Sequence, residues 1–243
     1  MPSNLETLAR DGFYHDEEGW SLLLNKPTGW SSFDVVKKIR TLLRVRKVGH
    51  AGTLDVNAEG LLIVLTEKKT PSMDDFSAME KEYEGVMILG ARTKSFDSEE
   101  EEMEHTGIEG ISESMIQNTL NEFLGEQEQL PPMYSAAKHQ GKHLYQYARQ
   151  GIEIARVPKR ISVSVFNAEN VRLPEVQFRV ICSKGTFIRS LVNDVGEKLG
   201  CGAYLKTLKR TRIGNFRLEN ALTVDRLPSV FYPAPTVQFS AAA

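Results

Sequence analysis

The apolar and polar positions divide the chain into short units. Residues 20–24 form an apolar run that ends at Lys26-Pro27, which predicts a strand followed by a turn at Thr28-Gly29. Val35, Val36, Ile39, Leu42 and Leu43 then recur at helical spacing, with Ser31 or Ser32 as N-cap and Lys37, Lys38, Arg40 and Arg44 on the other face. Residues 49–60 are small and polar and read as a loop. Residues 61–65 are a short apolar run, best placed as a buried strand, and residues 83–89 predict another, closed by Gly90. Ser112 caps a helix whose apolar face is Ile116, Leu120, Phe123 and Leu124, with Gly125 as its stop. Leu130-Pro131-Pro132 breaks the pattern. Residues 161–166 and 176–182 predict strands, and Val176, Phe178, Val180 and Cys182 alternate onto one side of the second. Ser183-Lys184-Gly185-Thr186 leads into a helix with Ile188, Leu191, Val192, Val195 and Leu199 on one face, ended by Gly200. Strands and helices in this order, without a regular βαβ repeat, predict an α+β fold with a mixed, largely antiparallel sheet.

Composition narrows the class. A chain of 243 residues with 41% hydrophobic and 26% charged content is globular, which excludes disordered, collagenous and coiled-coil readings. No apolar stretch is long enough to predict a signal peptide or a membrane span. Cys182 and Cys201 are too few for a disulfide framework and read as reduced thiols of a cytosolic protein. Charge needs a local count. The net charge of -2 points away from a nucleic-acid partner, yet residues 94–129 hold eleven acidic residues against one basic, and residues 130–217 hold sixteen basic against five acidic. Near neutrality is a cancellation, and the basic block is either an electrostatic footprint for a polyanion or a solvated surface.

Within that basic block, residues 131–151 interleave Lys138, His139, Lys142, His143 and Arg149 with Tyr134, Tyr145 and Tyr147. Cations can meet phosphates and rings can meet bases, although an amphipathic surface helix would carry the same residues. Phosphate-loop, dinucleotide, zinc-protease, C-x-x-C and nucleophile-elbow motifs are all absent. The outstanding stretch is Gly49-His50-Ala51-Gly52-Thr53-Leu54-Asp55, which presents one carboxylate and one imidazole on a loop whose glycines let a ligand approach. Asp55 is either a nucleophile or base, or the polar member of a turn. A working aspartate must be kept ionised and aimed, and the planar fork of a guanidinium does both. Arg189, at the start of a helix behind an apolar strand, is the candidate partner.

Five motifs in this order resemble the TruB family of tRNA pseudouridine synthases, over residues 20–227. They are Leu22-Leu23-Leu24-Asn25-Lys26-Pro27, the loop from Gly49 through Asp55, Met133-Tyr134-Ser135-Ala136, Tyr147-Ala148-Arg149-Gln150-Gly151, and Cys182-Ser183-Lys184-Gly185-Thr186-Phe187-Ile188-Arg189. The resemblance implies the pseudouridine-synthase fold, with a thumb-like RNA-binding insertion over residues 131–151. It implies isomerisation of the uridine at position 55, in the T loop of tRNA, by detaching the base at N1 and rejoining it through C5, with no cofactor and no metal. Asp55 matches the essential aspartate, acting as nucleophile on C1′ or as base on a sugar proton. Arg189 matches its salt-bridge partner and Tyr83 the ring that stacks on the target base. His50 matches a residue that holds flipped-out nucleotides, and Lys26 and Leu208 match pocket positions. Lys138, His139, Lys142 and Arg149 are the RNA contacts expected on the insertion.

The same resemblance sets the expected organisation: an N-terminal extension over 1–19, one catalytic domain over 20–227 and a tail over 228–243, without the family's C-terminal PUA domain. It further implies a cytoplasmic monomer with tRNA as partner and no obligatory protein partner. Departures from the family stand at Val56, where proline is usual, at Glu59, at Lys68-Lys69-Thr70 and at Thr93-Lys94-Ser95. Val56 removes a fixed φ angle, and Glu59 would raise the proton affinity of Asp55 if the two approach. These departures keep open a non-catalytic tRNA-binding or folding module, or a synthase acting on another RNA.

Overall fold

The structure is a computed structural model and describes residues 2–135 and 138–231. Helix α1 (Pro2–Asp11) and strand β1 (Phe13–Asp16) lead into β2 (Gly19–Lys26). Helix α2 (Ser32–Leu43), β3 (Val48–His50), β4 (Ala58–Thr66), α3 (Met73–Ala78) and β5 (Lys81–Leu89) follow. Next come α4 (Glu113–Asn121), β6 (Gly125–Gln129), β7 (Lys138–His139), β8 (Lys142–His143) and α5 (Leu144–Ala148). The chain continues through β9 (Lys159–Arg172), β10 (Glu175–Cys182), α6 (Ile188–Leu199), β11 (Ala203–Ile213), β12 (Phe216–Arg217), β13 (Leu222–Thr223) and α7 (Leu227–Phe231).

Among the described residues, eleven strands form one mixed sheet in the order β1-β2-β4-β11-β5-β10-β9-β6, with β3 on β4, β12 on β11 and β13 on β2. Most neighbours are antiparallel; β4 with β11 and β2 with β13 are parallel. The β4–β11 seam joins the two halves of the sheet, and its close approach dictates a residue. Gly60 has φ +110°, and a Cβ there would lie 2.4 Å from the Arg210 carbonyl oxygen, so only glycine fits.

Helix α2 starts where Ser31 and Asp34 form a reciprocal cap, in which Asp34 N donates to Ser31 Oγ and Ser31 N donates to Asp34 Oδ2. Such a cap stabilises a helix by about 1 kcal/mol. Val35 and Ile39 of its buried stripe pack with Leu22, Leu24, Leu62 and Val64, each side chain contributing about 1.5–3 kcal/mol of burial. Helix α6 buries Ile188, Leu191, Val192 and Val195 on the other half and ends, as the sequence predicts, on a left-handed Gly200.

Four findings differ from the sequence reading. The segment ahead of β2 is built into the domain rather than extending from it: Leu8 of α1 is 1% exposed and β1 pairs along β2. Strand β11, at the centre of the sheet, was not expected at all, because two bulges and Lys206, Lys209, Arg210 and Arg212 break its alternation. Gly125 starts a polar strand rather than merely stopping α4, which leaves Leu124 45% exposed beyond the helix. The described residues of 131–151 contain the β7–β8 hairpin and the short α5, not the single surface helix that the residues left open as an alternative. The prolines and alanines of the tail from residue 232 onward lie outside the described residues.

Candidate active site

Three chain segments converge on one guanidinium. Arg189 is placed by the start of α6, whose first turn is tied to β6 by an amide. Gln129 Nε2 donates to the Phe187 carbonyl at 3.0 Å, and Phe187 N donates to Gln129 Oε1 at 2.8 Å. Arg189 is 6% exposed. Its Nε lies 3.0 Å from Asp55 Oδ2, its Nη1 lies 3.3 Å from Asp97 Oδ2, and it donates to the carbonyls of Ser95 at 3.1 Å and Tyr134 at 2.9 Å. The expected Asp55–Arg189 pair is therefore present.

Asp97 was not singled out in the sequence, where it counts as one more acid of an acidic segment. It is buried, accepts from Ser95 Oγ at 2.6 Å and Glu99 N at 3.0 Å, and supplies the second carboxylate to Arg189. A buried cation flanked by two carboxylates and two carbonyls has its charge matched, so its position is stiff. Asp55 itself keeps a side chain 44% exposed, which leaves the carboxylate open to a ligand.

The Asp55 loop is pinned from behind. Ser32 Oγ donates to the Leu54 carbonyl at 3.0 Å and accepts from Leu54 N at 2.9 Å; Gly29 N donates to the Val56 carbonyl at 2.8 Å. These bonds do in part what a proline at position 56 would do. Lys26, expected as a pocket contact, is instead fully buried and does not line the cavity. Its Nζ donates to the carbonyls of Trp30 at 2.5 Å, Pro27 at 3.1 Å and Val56 at 3.5 Å, and burial pushes its pKa down to about 8. A lysine this deep reaches carbonyls rather than solvent, which corrects its expected role.

A cavity of about 810 Å³ opens beside the pair, with Asp55, Lys81, Tyr83, Arg189, Leu208 and Arg210 in its walls. Tyr83 and Leu208 are both buried in the sheet and both line this cavity. Burial pushes the Tyr83 phenol above its ordinary value, against the pull of the Arg210 cation, so the hydroxyl stays protonated at neutral pH. Glu59 lines a different cavity and pairs with Lys209 at 3.7 Å, away from Asp55. His50 is half-buried and is not in the cavity wall; burial and then Arg210 lower its pKa, which keeps the imidazole neutral, and its Nδ1 has no partner among the described residues.

The insertion is rooted at this site through the Tyr134 carbonyl on Arg189 and through Ser135, whose buried Oγ has no partner among the described residues and which lines the cavity. Lys142 and Arg149 are exposed, with Arg149 stacked 5.5 Å from the Tyr145 ring centroid. The side chains of Lys138 and His139 lie outside the described residues. Among the described residues, no group of three His, Cys, Asp or Glu side chains is gathered as a metal site, and no helix is long and apolar enough to cross a membrane. What the arrangement offers is a fixed, partly open carboxylate, able to act as nucleophile or base, beside an aromatic and apolar slot.

Comparison with known proteins gives the following. The family described as TruB family pseudouridylate synthase (N terminal domain) matches residues 40–188, and the tRNA pseudouridylate synthase B C-terminal domain matches residues 189–235. The tRNA pseudouridine synthase B of Chloroherpeton thalassium is 46% identical over 213 residues, spanning 86% of this chain and 88% of that protein. The protein of the same name from Flavobacterium johnsoniae is 42% identical over 214 residues, spanning 85% and 93%. Among solved structures, a chain of a Cbf5-Nop10-Gar1 complex superposes with a TM-score of 0.69 at 31% identity, covering 89% of this chain and 56% of that one. A chain of an H/ACA RNP bound to a substrate RNA containing 2'-deoxyuridine superposes at 0.65 and 25% identity, covering 92% and 62%. The chain thus spans little more than half the length of these solved chains.

Proposed function

The chain belongs to the TruB family of pseudouridylate synthases, enzymes that isomerise uridine to pseudouridine in tRNA, and from that premise we propose that it acts on position 55 of the T loop with Asp55 as its reacting group. The observation that carries this reading is the 3.0 Å Asp55–Arg189 pair at the edge of a nucleotide-sized cavity walled by Tyr83 and Leu208.

A uridine inside a folded loop cannot turn about its sugar, so it must leave the stack, and the cavity replaces its neighbours with an aromatic ring and a leucine. Arg189 engages one oxygen of Asp55 and thereby fixes the direction of the other. From that place Asp55 either attacks C1′ as the C1′–N1 bond breaks, or takes a sugar proton to give a glycal. The base turns against Tyr83 and its C5 bonds to C1′ as the Asp55–C1′ ester breaks or, from the glycal, as Asp55 returns the sugar proton; the C5 proton then leaves to solvent and N1 ends protonated, so each turnover releases the C5 hydrogen. The insertion lies over the RNA with Lys142 and Arg149 on phosphates, as a monomer in the cytoplasm, where tRNA is the partner.

The test is tritium release from C5-labelled uridine in tRNA, using the purified chain alone, with the modified position mapped afterwards. Release confined to position 55 and lost in Asp55→Asn is expected. A folded protein that binds tRNA and releases no tritium would return the non-catalytic module to first place, and release from another position would move the target.

A further inference from the structure

Arg210, in β11, is 1% exposed and heads the fully buried side chains by volume. It forms no ion pair among the described residues. A buried guanidinium without a carboxylate is costly unless its N–H groups are otherwise matched. Here they are matched by backbone carbonyls: Nε donates to Leu61 at 2.7 Å, Nη1 to Thr53 at 3.3 Å and Nη2 to Gly52 at 3.1 Å.

Two of those three acceptors belong to the aspartate loop. Its rear half is held by Ser32 at Leu54 and by Gly29 and Lys26 at Val56. None of these reaches Gly52 or Thr53, and Gly52 sits at φ +90°, where the backbone has no intrinsic reason to stay. Arg210 is itself fixed from both sides, paired with Gly60 across the parallel seam and with Tyr83 across the antiparallel one. One planar fork therefore references the front of the loop to the strand that carries the aromatic ring of the site. A lysine could reach one of these carbonyls but not hold three in a plane.

We propose that Arg210 is a positioning residue for the isomerisation: it clamps Gly52 and Thr53 so that Asp55 meets both Arg189 and the bound nucleotide at reacting distance. This rests on the role given above to Asp55. Displacement of a reacting group by about 1 Å costs roughly 100-fold in rate, and the loss falls chiefly on turnover, because Arg210, although in the cavity wall, spends three of its N–H groups on backbone carbonyls and Arg210→Lys keeps its charge there.

The experiment compares the wild-type chain with Arg210→Lys and Arg210→Gln. Arg210→Lys keeps the buried charge and serves if Arg210→Gln does not fold. Single-turnover tritium release, tRNA affinity and hydrogen–deuterium exchange are measured on each. In Arg210→Lys, turnover falls about 100-fold, tRNA affinity stays within about twofold, and exchange rises at residues 51–55 while α6 keeps its protection. Wild-type turnover in a folded Arg210→Lys overturns the proposal. So does exchange that rises across the whole sheet together with a lost melting transition, which makes Arg210 simply part of the core. If the wild-type chain itself releases no tritium, the catalytic reading has failed, and exchange at residues 51–55 still decides whether the clamp exists.

Discussion

Replacing Arg189 by methionine separates the energetic role of the guanidinium from its chemical one. Asp97 and Arg189 are both buried, and their facing atoms are 3.3 Å apart. At an effective dielectric of about 20, that distance corresponds to a gross attraction of about 5 kcal/mol. Removing the cation leaves the Asp97 carboxylate in the interior with only Ser95 Oγ and Glu99 N for company, a situation that costs about 3–5 kcal/mol. The carbonyls of Ser95 and Tyr134 also lose a donor, at about 1 kcal/mol each where water does not replace it. The partly exposed Asp55 adds little, since solvent screens it. Arg189→Met is therefore expected to destabilise the fold by about 5–7 kcal/mol where water does not reach the two carbonyls, and by about 3–5 kcal/mol where it does. Adding Asp97→Asn to that variant removes the stranded charge and recovers about half of the loss, while turnover stays absent in both. Urea unfolding followed by circular dichroism measures the first quantity, provided the m-value is unchanged, and tritium release measures the second. A double variant as unstable as the single one would refute the reasoning, because Asp97 would then not be the source of the cost.

Asp55→Asn keeps shape and loses charge, so it should leave the melting temperature and tRNA affinity near wild type while abolishing turnover; retained release of tritium would reassign the reacting group. Lys26 and Lys81 are both pushed down from 10.5 to about 8 by burial, so between those values the unfolded chain binds more protons, and stability rises with pH from about 8 to about 10.5. Above pH 9 the Cys182 thiol, pushed up to about 11, begins to oppose that trend. Lys26→Met should flatten the rise, as read from melts at closely spaced pH values. Lys142→Gln with Arg149→Gln should weaken tRNA binding and reduce the slope of log affinity against log salt by roughly 1.5; an unchanged slope would remove the insertion from the RNA footprint.

The parts of the fold legible in the sequence were those with local causes. The serines at 31 and 32 announce the start of α2, of which Ser31 is the cap, and Gly200 announces the end of α6, because caps are settled within four residues. The Asp55–Arg189 pair was legible because each motif is specific and the chemistry asks for an opposite charge. Strand β11 was hidden because Lys206 and Lys209 face outward, Arg210 is a buried cation, and bulges reset the alternation between Leu205 and Thr207 and between Arg210 and Arg212. Asp97 was hidden among acids, since burial is decided by segments distant in sequence. The surroundings of Lys26, given as a pocket position by the resemblance alone, were likewise not legible, because the three carbonyls around its Nζ belong to a turn and a loop up to thirty residues away.

The contacts of Arg189 reach Asp55, the turn at residues 95–97 and the Tyr134 carbonyl, and the loop before Asp55 leans on Arg210. During synthesis these pieces emerge one after another, and the two arginines come late. The Asp55 carboxylate therefore gains its ion-pair partner and the clamp behind its loop only after the whole of residues 131–151 has been made, and a chain truncated before β11 is expected to show no turnover even where it still folds locally.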